Sequence, residues 1–171
     1  TLSLHDALPI LFLFSFYTRG MSFIDMAYLK KSDLKNGTIT YRRRKTGQQL
    51  TVKWEKCMED IIAKYRENTA TRYLLPIITN PCSDERTQYR NAICRINVAL
   101  KEVVGLAGLN IPLTMHVARH CWASVAKSKN IPLSVISEGM GHDSEETTRI
   151  YLASLDTSVV DKANSLILKD F

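Results

Sequence analysis

Little in this sequence ties the chain to a metal, a membrane or an oxidising compartment. Its four cysteines, Cys57, Cys82, Cys94 and Cys121, are widely scattered, with no C-x-x-C pair and no Cys/His cluster at metal-ligand spacing. That pattern argues against a zinc site and against a disulfide framework, and it predicts a reducing, cytoplasmic setting and no metal cofactor. Long apolar runs are also missing: the longest, ALPILFLFSFY from Ala7 to Tyr17, is interrupted by Pro9. It falls well short of the ~20 residues a membrane span needs, so it reads as a buried core helix and predicts no membrane partner. No basic segment precedes it, as a secretory signal would require. Internal repeats and low-complexity stretches are absent too.

What the chain does have is enough apolar material for one domain: 171 residues with 45% hydrophobic content. That combination excludes intrinsic disorder and supports a sizeable core. The balance of 23 Lys+Arg against 17 Asp+Glu gives a net charge of +6, which favours an anionic partner such as nucleic acid. The opening TLSLHDALPI carries no starting Met and no helix cap, and its pattern joins poorly to that of the neighbouring residues. Residues 1–10 are therefore expected to be a non-native leader and 11–171 the domain proper, in a chain that is a fragment of something longer.

Periodicity divides the domain into elements. Phe23, Met26 and Ala27 share a helical face behind a Ser22 cap, in a helix expected to end near Lys30. Thr38–Arg43 and Gln49–Trp54 are rich in Thr, Val, Ile and Tyr and read as two strands, joined by a turn around Lys45, Thr46 and Gly47. Helical period returns over Glu55–Glu67. YLLPI reads as a short extended piece. From Glu85 to Ala107, Ile93, Ile96, Leu100, Val103 and Ala107 recur at offsets of three and four, a long helix closed by Gly108. Thr114 begins another helix, running to about Lys129. Pro132 opens a short one that ends at Gly139 or Gly141. Ser144 caps the next, in which Thr147, Ile150 and Tyr151 stand at helical spacing, and Asp156 to about Leu168 forms a last amphipathic helix. The sum is a mainly α (α+β) domain with a small antiparallel β-sheet.

Four short motifs carry chemistry. In MHVARH, Met115 to His120, His116 and Arg119 are three apart and emerge from one face near a helix N-terminus, where the backbone dipole suits a phosphate better than a metal cation. The bland alternative is a solvated helix face. Lys45 sits at the hairpin tip behind Arg42, Arg43 and Arg44; strand alternation puts Arg42 and Arg44 on one face and Arg43 on the other, a hairpin basic on both sides and suited to a phosphate backbone. A charge-guarded edge strand would look the same. His142 lies in the turn after Gly141. Tyr151 follows it by nine residues, and a half-buried packing tyrosine is the ordinary reading of such a position.

In this order, Lys on a hairpin, H-x-x-R, Gly-His and then Tyr, the chain resembles the tyrosine recombinases, the phage-type integrases, over roughly residues 11–168. FYTRGM, RRKTGQ and YLASLD are similar to the branch carried on integrative and other mobile elements. The resemblance implies a DNA breaking-rejoining fold and a site-specific recombinase that works on double-stranded DNA without cofactor, metal or ATP. Tyr151 would attack the scissile phosphodiester, giving a 3'-phosphotyrosine and a free 5'-hydroxyl. Arg119 and His142 would stabilise charge on the non-bridging oxygens, Lys45 would protonate the departing 5'-oxygen, and His116 would accept or orient the tyrosine proton. Arg42, Arg43 and Arg44 would bind DNA beside Lys45. His120, on a different helix face from the arginine, would be structural support.

The chain departs from the family at one point. The usual pattern resembles T-G-x-R-x-x-E; aligning Gly20 with that glycine puts Ser22 where the arginine belongs and Asp25 at the acidic position. Arg19 is the displaced candidate, able to stand in if residues 19–22 are helical; one of Arg42 to Arg44, or no arginine at all, are the rivals. The N-terminal helical domain that closes the family's clamp around DNA is expected to be absent. The C-terminal helix would either fold back on its own core or dock on a neighbour in a tetrameric synapse, a homo-oligomer on DNA. A type IB topoisomerase and a silent DNA-binding remnant are the alternative functions; His116, where topoisomerases usually have lysine, favours the recombinase over the first.

Overall fold

The computed structural model describes residues 9–65, 71–108, 110 and 112–153. The chain divides into two compact units, Thr1–Trp122 and Ala123–Phe171. Among the described residues the first unit contains helices α1 (Ile10–Tyr17), α2 (Phe23–Ala27), α3 (Lys56–Ala63) and α4 (Glu85–Leu106) and a three-stranded sheet. Helix α5 (Met115–Ser128) begins in the first unit and ends in the second, which continues with α6 (Leu133–Met140) and α7 (Glu145–Ala153). No helix among the described residues is long and apolar enough to cross a membrane. The last amphipathic helix expected from the sequence, Asp156 to about Leu168, lies outside the described residues, as do residues 1–8 of the segment expected to be a leader.

The apolar run forms α1, and its Leu11 and Phe14 are fully buried in the core of the first unit with Met26, Leu29, Ile39 and Ile96. Burial of such side chains is the main term holding the unit together, each contributing about 1.5–3 kcal/mol. Helix α2 buries Phe23, Met26 and Ala27 on the anticipated face and is one turn shorter than expected, ending at Ala27. In α4 the buried positions are Ala92, Ile96, Ala99 and Leu100. Ala107, placed in that stripe by its spacing, is exposed instead, because the helix ends at Leu106. Gly108 comes next with φ +62°, the left-handed value that lets a chain leave a helix.

The hairpin forms as expected: β2 (Thr38–Arg42) pairs antiparallel with β3 (Gln49–Lys53), Thr38 opposite Lys53 and Arg42 opposite Gln49. A third strand, β1 (Leu34–Lys35), pairs with Thr38 and Ile39 of β2 and is not anticipated by the periodicity. Its signal is present in Asn36-Gly37, where both residues have positive φ (51° and 72°), the geometry of a two-residue hairpin turn. YLLPI supplies a single antiparallel bridge, Tyr73 to Lys30.

In the second unit α6 and α7 pack on each other and bury Ile136, Met140 and Leu152. Helix α7 does not bury the positions its spacing suggested: Thr148 and Leu152 are inside, while Ile150 is 64% exposed. The buried stripe is offset from the expected one, and Tyr151 sits at its edge, half-buried.

Candidate functional site

Arg119 is a buried cation of the first unit. Although three residues from the solvent-accessible His116, it is only 7% exposed, and its Nη1 donates to the Gly20 carbonyl oxygen at 2.9 Å. The acceptor is set by an unusual turn. Helix α1 closes with the Gly20 N–H donating to the Ser15 carbonyl and the Arg19 N–H to the Phe16 carbonyl, a Schellman motif in which Arg19 takes the left-handed position (φ +62°) usually given to glycine. Gly20 is also left-handed, with φ +72°, and a Cβ there would lie 2.7 Å from the Arg119 Cα and 2.7 Å from its Cγ. Glycine is therefore required twice over, by conformation and by contact with α5.

This turn overturns the helical premise on which Arg19 and Ser22 were expected to point the same way. Ser22 is extended (φ -67°, ψ 149°) and caps α2; its hydroxyl donates to the Asp25 carboxylate at 2.6 Å. Arg19 instead extends toward the sheet, where its Nη1 makes a long 3.5 Å contact with the Thr51 carbonyl. Its charge is felt at Tyr41: burial pushes that phenol's pKa far up, Asp25 adds to the rise, and Arg119, Arg43 and Arg19 oppose it. Arg19 and Arg119 thus act electrostatically on one buried phenol.

His116 and His120 lie edge to face, ring centroids 4.5 Å apart. Four residues apart on a helix, the two histidines share a face, and His120 is set against His116 rather than beside the arginine that precedes it. Desolvation, then the charge of Arg119, then that of Lys45 hold the His116 pKa below its ordinary value, and desolvation, His116 and Arg119 do the same for His120. The downward shift favours the neutral imidazole of His116, the form able to accept a proton. The influence of Lys45 on it brings the hairpin tip into the same electrostatic neighbourhood.

The three arginines before Lys45 do not share one environment. Arg42 is exposed and donates to the Gly47 carbonyl at 2.7 Å across the loop. Arg44 is exposed, with its guanidinium 3.7 Å above the centre of the Tyr28 ring. Arg43 is buried, 8% exposed. The expectation of a hairpin basic on both faces therefore fails for Arg43, because the side of β2 that carries Ile39 and Tyr41 faces the core.

In the second unit, α6 ends in another Schellman motif: Gly141 is left-handed (φ 63°, ψ 50°), its N–H donates to Glu138, and the His142 N–H donates to Ser137 at 3.0 Å. The motif turns the chain so that His142 leaves α6 at a fixed angle. Its Nδ1 lies 2.7 Å from the Thr148 hydroxyl, and its ring meets that of Tyr151 edge to face at 5.6 Å and 70°. The Ser144 hydroxyl accepts from the Thr147 N–H at 3.2 Å and so starts α7, as the sequence suggested. Thr148, fully buried, is a site residue that the motifs do not single out. The available signal is its spacing, three residues before Tyr151 and so on the same helix face.

Among the described residues no group of three or more His, Cys, Asp or Glu side chains is placed to hold a metal. Cys121 is half-buried, and burial raises its thiol pKa, which disfavours the thiolate.

Three solved structures illustrate the fold. The chain is similar to a XerA recombinase (20% identity, TM-score 0.63, covering 94% of this chain and 57% of that one). It is also similar to a XerH site-specific recombinase bound to a palindromic difH substrate in a post-cleavage complex (22%, TM-score 0.66, 96% and 47%). A lambda integrase dimer bound to a COC' core site matches at 18% identity and TM-score 0.59, covering 85% and 52%. The chain thus spans about half the length of these structures. Among curated protein sequences none matches. The model of the phage integrase family, however, matches residues 1–158, and the chain belongs to that family.

Proposed function

We propose that the protein is a site-specific DNA recombinase that cleaves and rejoins DNA through a covalent phosphotyrosine. The Tyr151 oxygen attacks the scissile phosphorus and loses its proton to His116 or to solvent oriented by it. As the new P–O bond forms, the bond to the 5'-oxygen breaks and that oxygen takes a proton from Lys45. The 3'-phosphotyrosine is then attacked by the 5'-hydroxyl of another strand, and the proton transfers run backwards. One phosphodiester replaces another, so the step needs no energy source. Arg119 and His142 stabilise the charge that builds on the non-bridging oxygens, a role in which one donor is typically worth about 10²- to 10³-fold in rate.

The observation that carries this reading is Arg119: a guanidinium 7% exposed, anchored on the Gly20 carbonyl by a turn that only glycine fits. Preorganised donors of this kind cost no reorganisation when charge develops. The downward shift at His116 supports its part as acceptor, and the ring contact with His142 supports a fixed Tyr151. The double-stranded DNA substrate, assembly into a tetramer and the contribution of the C-terminal helix belong to the same proposal. They draw on the family and on the DNA-bound relatives.

A nicked suicide substrate tests the reading directly. The protein should form a covalent DNA adduct, lost in Tyr151→Phe; an adduct that survives this substitution would assign the nucleophile elsewhere. Ser22, with its hydroxyl committed to the α2 cap and to Asp25, favours one second reading, a remnant that binds DNA without cutting it. DNA binding with no adduct would select it. Arg19→Ala in the same assay decides the displaced arginine: full cleavage there leaves Arg19 without a part in the chemistry.

A further inference from the structure

The loop between β2 and β3 is closed at its neck by its own backbone, with the Arg43 N–H donating to the Gln48 carbonyl and the Gly47 N–H to the Arg43 carbonyl, both at 2.8 Å. Its tip is held differently. The Arg44 N–H donates to Asp25 Oδ1 at 2.8 Å, and Asp25, 4% exposed, receives the Ser22 hydroxyl on its other oxygen. The Arg44 guanidinium lies over Tyr28, the C-cap residue just after α2, at 3.7 Å from the ring centre. Both attachments come from α2 and both act on the residue immediately before Lys45. A loop arginine meant for a phosphate backbone would keep its guanidinium in water; this one is spent on an aromatic face.

We propose that Tyr28, Asp25 and Arg44 form a clasp that fixes the hairpin tip, so that Arg44 is a positioning residue for Lys45 and not a DNA contact. The proposal rests on the recombinase reading, in which the Lys45 ammonium gives its proton to the 5'-oxygen as the P–O bond breaks. Ordering the tip removes conformations in which that proton is out of reach, at no cost to the enzyme's grip on DNA. Asp25 contributes the backbone register and Tyr28 the lateral hold.

The test compares two nicked suicide substrates, one with the natural 5'-bridging oxygen and one with 5'-bridging sulfur, whose thiolate leaves without a proton. Lys45→Ala should lose about 10²-fold or more on oxygen, the general-acid contribution, and little on sulfur. Tyr28→Leu and Arg44→Ala should lose roughly tenfold on oxygen, a part of that same contribution, and less than about twofold on sulfur. Tyr28→Phe, which keeps the aromatic face, should match the unsubstituted protein. Equal losses on both substrates would overturn the proposal. So would a weaker DNA affinity in Arg44→Ala whose log–log salt slope drops by about one, the mark of a lost phosphate contact. A second readout needs no cleavage activity: trypsin should cut after Lys45 about three- to tenfold faster in Tyr28→Leu than in Tyr28→Phe, the range a lost cation–aromatic contact allows. Equal trypsin rates would remove the clasp even if cleavage chemistry is present; an absent adduct with unequal rates would remove the recombinase reading and leave the clasp.

Discussion

Arg119 and Tyr151 are held by opposite means. The carbonyl that anchors Arg119 belongs to Gly20, 99 residues away in sequence, and the turn presenting it combines the end of α1, two consecutive left-handed residues and the start of α2. Everything described around Tyr151 lies within about fifteen residues of it: the Schellman turn at Gly141, the His142 ring, the buried Thr148 and the Ser144 cap. An arginine placed this way depends on the first unit folding as a whole. The described contacts of the tyrosine come from two short helices and the turn between them. The difference teaches where substitutions can be aimed: at the arginine from positions remote in sequence, at the tyrosine from near neighbours.

The sharpest way to break that comparison is at Gly20. Gly20→Ala forces a left-handed alanine and drives its Cβ into the α5 backbone, and should cost roughly 2–5 kcal/mol, read by chemical denaturation. Gly37→Ala, also at φ +72° but with nothing within 4 Å of the added Cβ, isolates the conformational part and should cost about 1–2 kcal/mol. Equal costs would mean that the close approach to Arg119 contributes nothing.

A smaller effect is expected on the tyrosine's side. Thr148→Val keeps the shape of a fully buried residue while removing the hydroxyl from His142 Nδ1. Adduct formation should fall about tenfold while stability moves by no more than about 1.5 kcal/mol, the usual net worth of one hydrogen bond. Adduct formation at the normal rate would show that the Schellman turn orients His142 without help.

The smallest effect concerns the charges around His116. Desolvation and the like charges of Arg119 and Lys45 all disfavour its imidazolium, so its pKa lies below the ordinary histidine value. Taking one positive charge away in Lys45→Gln relieves part of that penalty, and the His116 titration followed by NMR should move to higher pH. Cleavage that depends on a neutral His116 should hold down to below the usual histidine range and fall as pH drops through the depressed value. A titration unchanged in Lys45→Gln would place the hairpin tip too far from His116 for the two to act together.

Much of the site was legible because its signals are local. Helix periodicity located α4, Thr114 the start of α5, β-branched residues β2 and β3, Pro132 the start of α6 with Gly139 or Gly141 as its end, and Ser144 the start of α7, each rule acting over a few residues of backbone. Two of the readings that failed required knowing which side of an element meets the core. Arg43 lay on the alternation expected of a strand, yet nothing in RRRK says which face is buried. Ile150 fitted a helical stripe that proved to be the wrong one. The helical premise for Arg19 failed because residues 19 and 20 form the left-handed end of α1, where Gly20 lies against the Arg119 backbone.

The sequence by itself, through its resemblance to a family, named the candidate reacting groups, Lys45, His116, Arg119, His142 and Tyr151, and short-range spacing gave the helix or turn that carries each. Only the tertiary structure decided which cations are buried, which carbonyl receives Arg119 and what Arg44 rests on. Those outcomes depend on desolvation and on contacts between segments distant in sequence, and neither leaves a periodic trace along the chain.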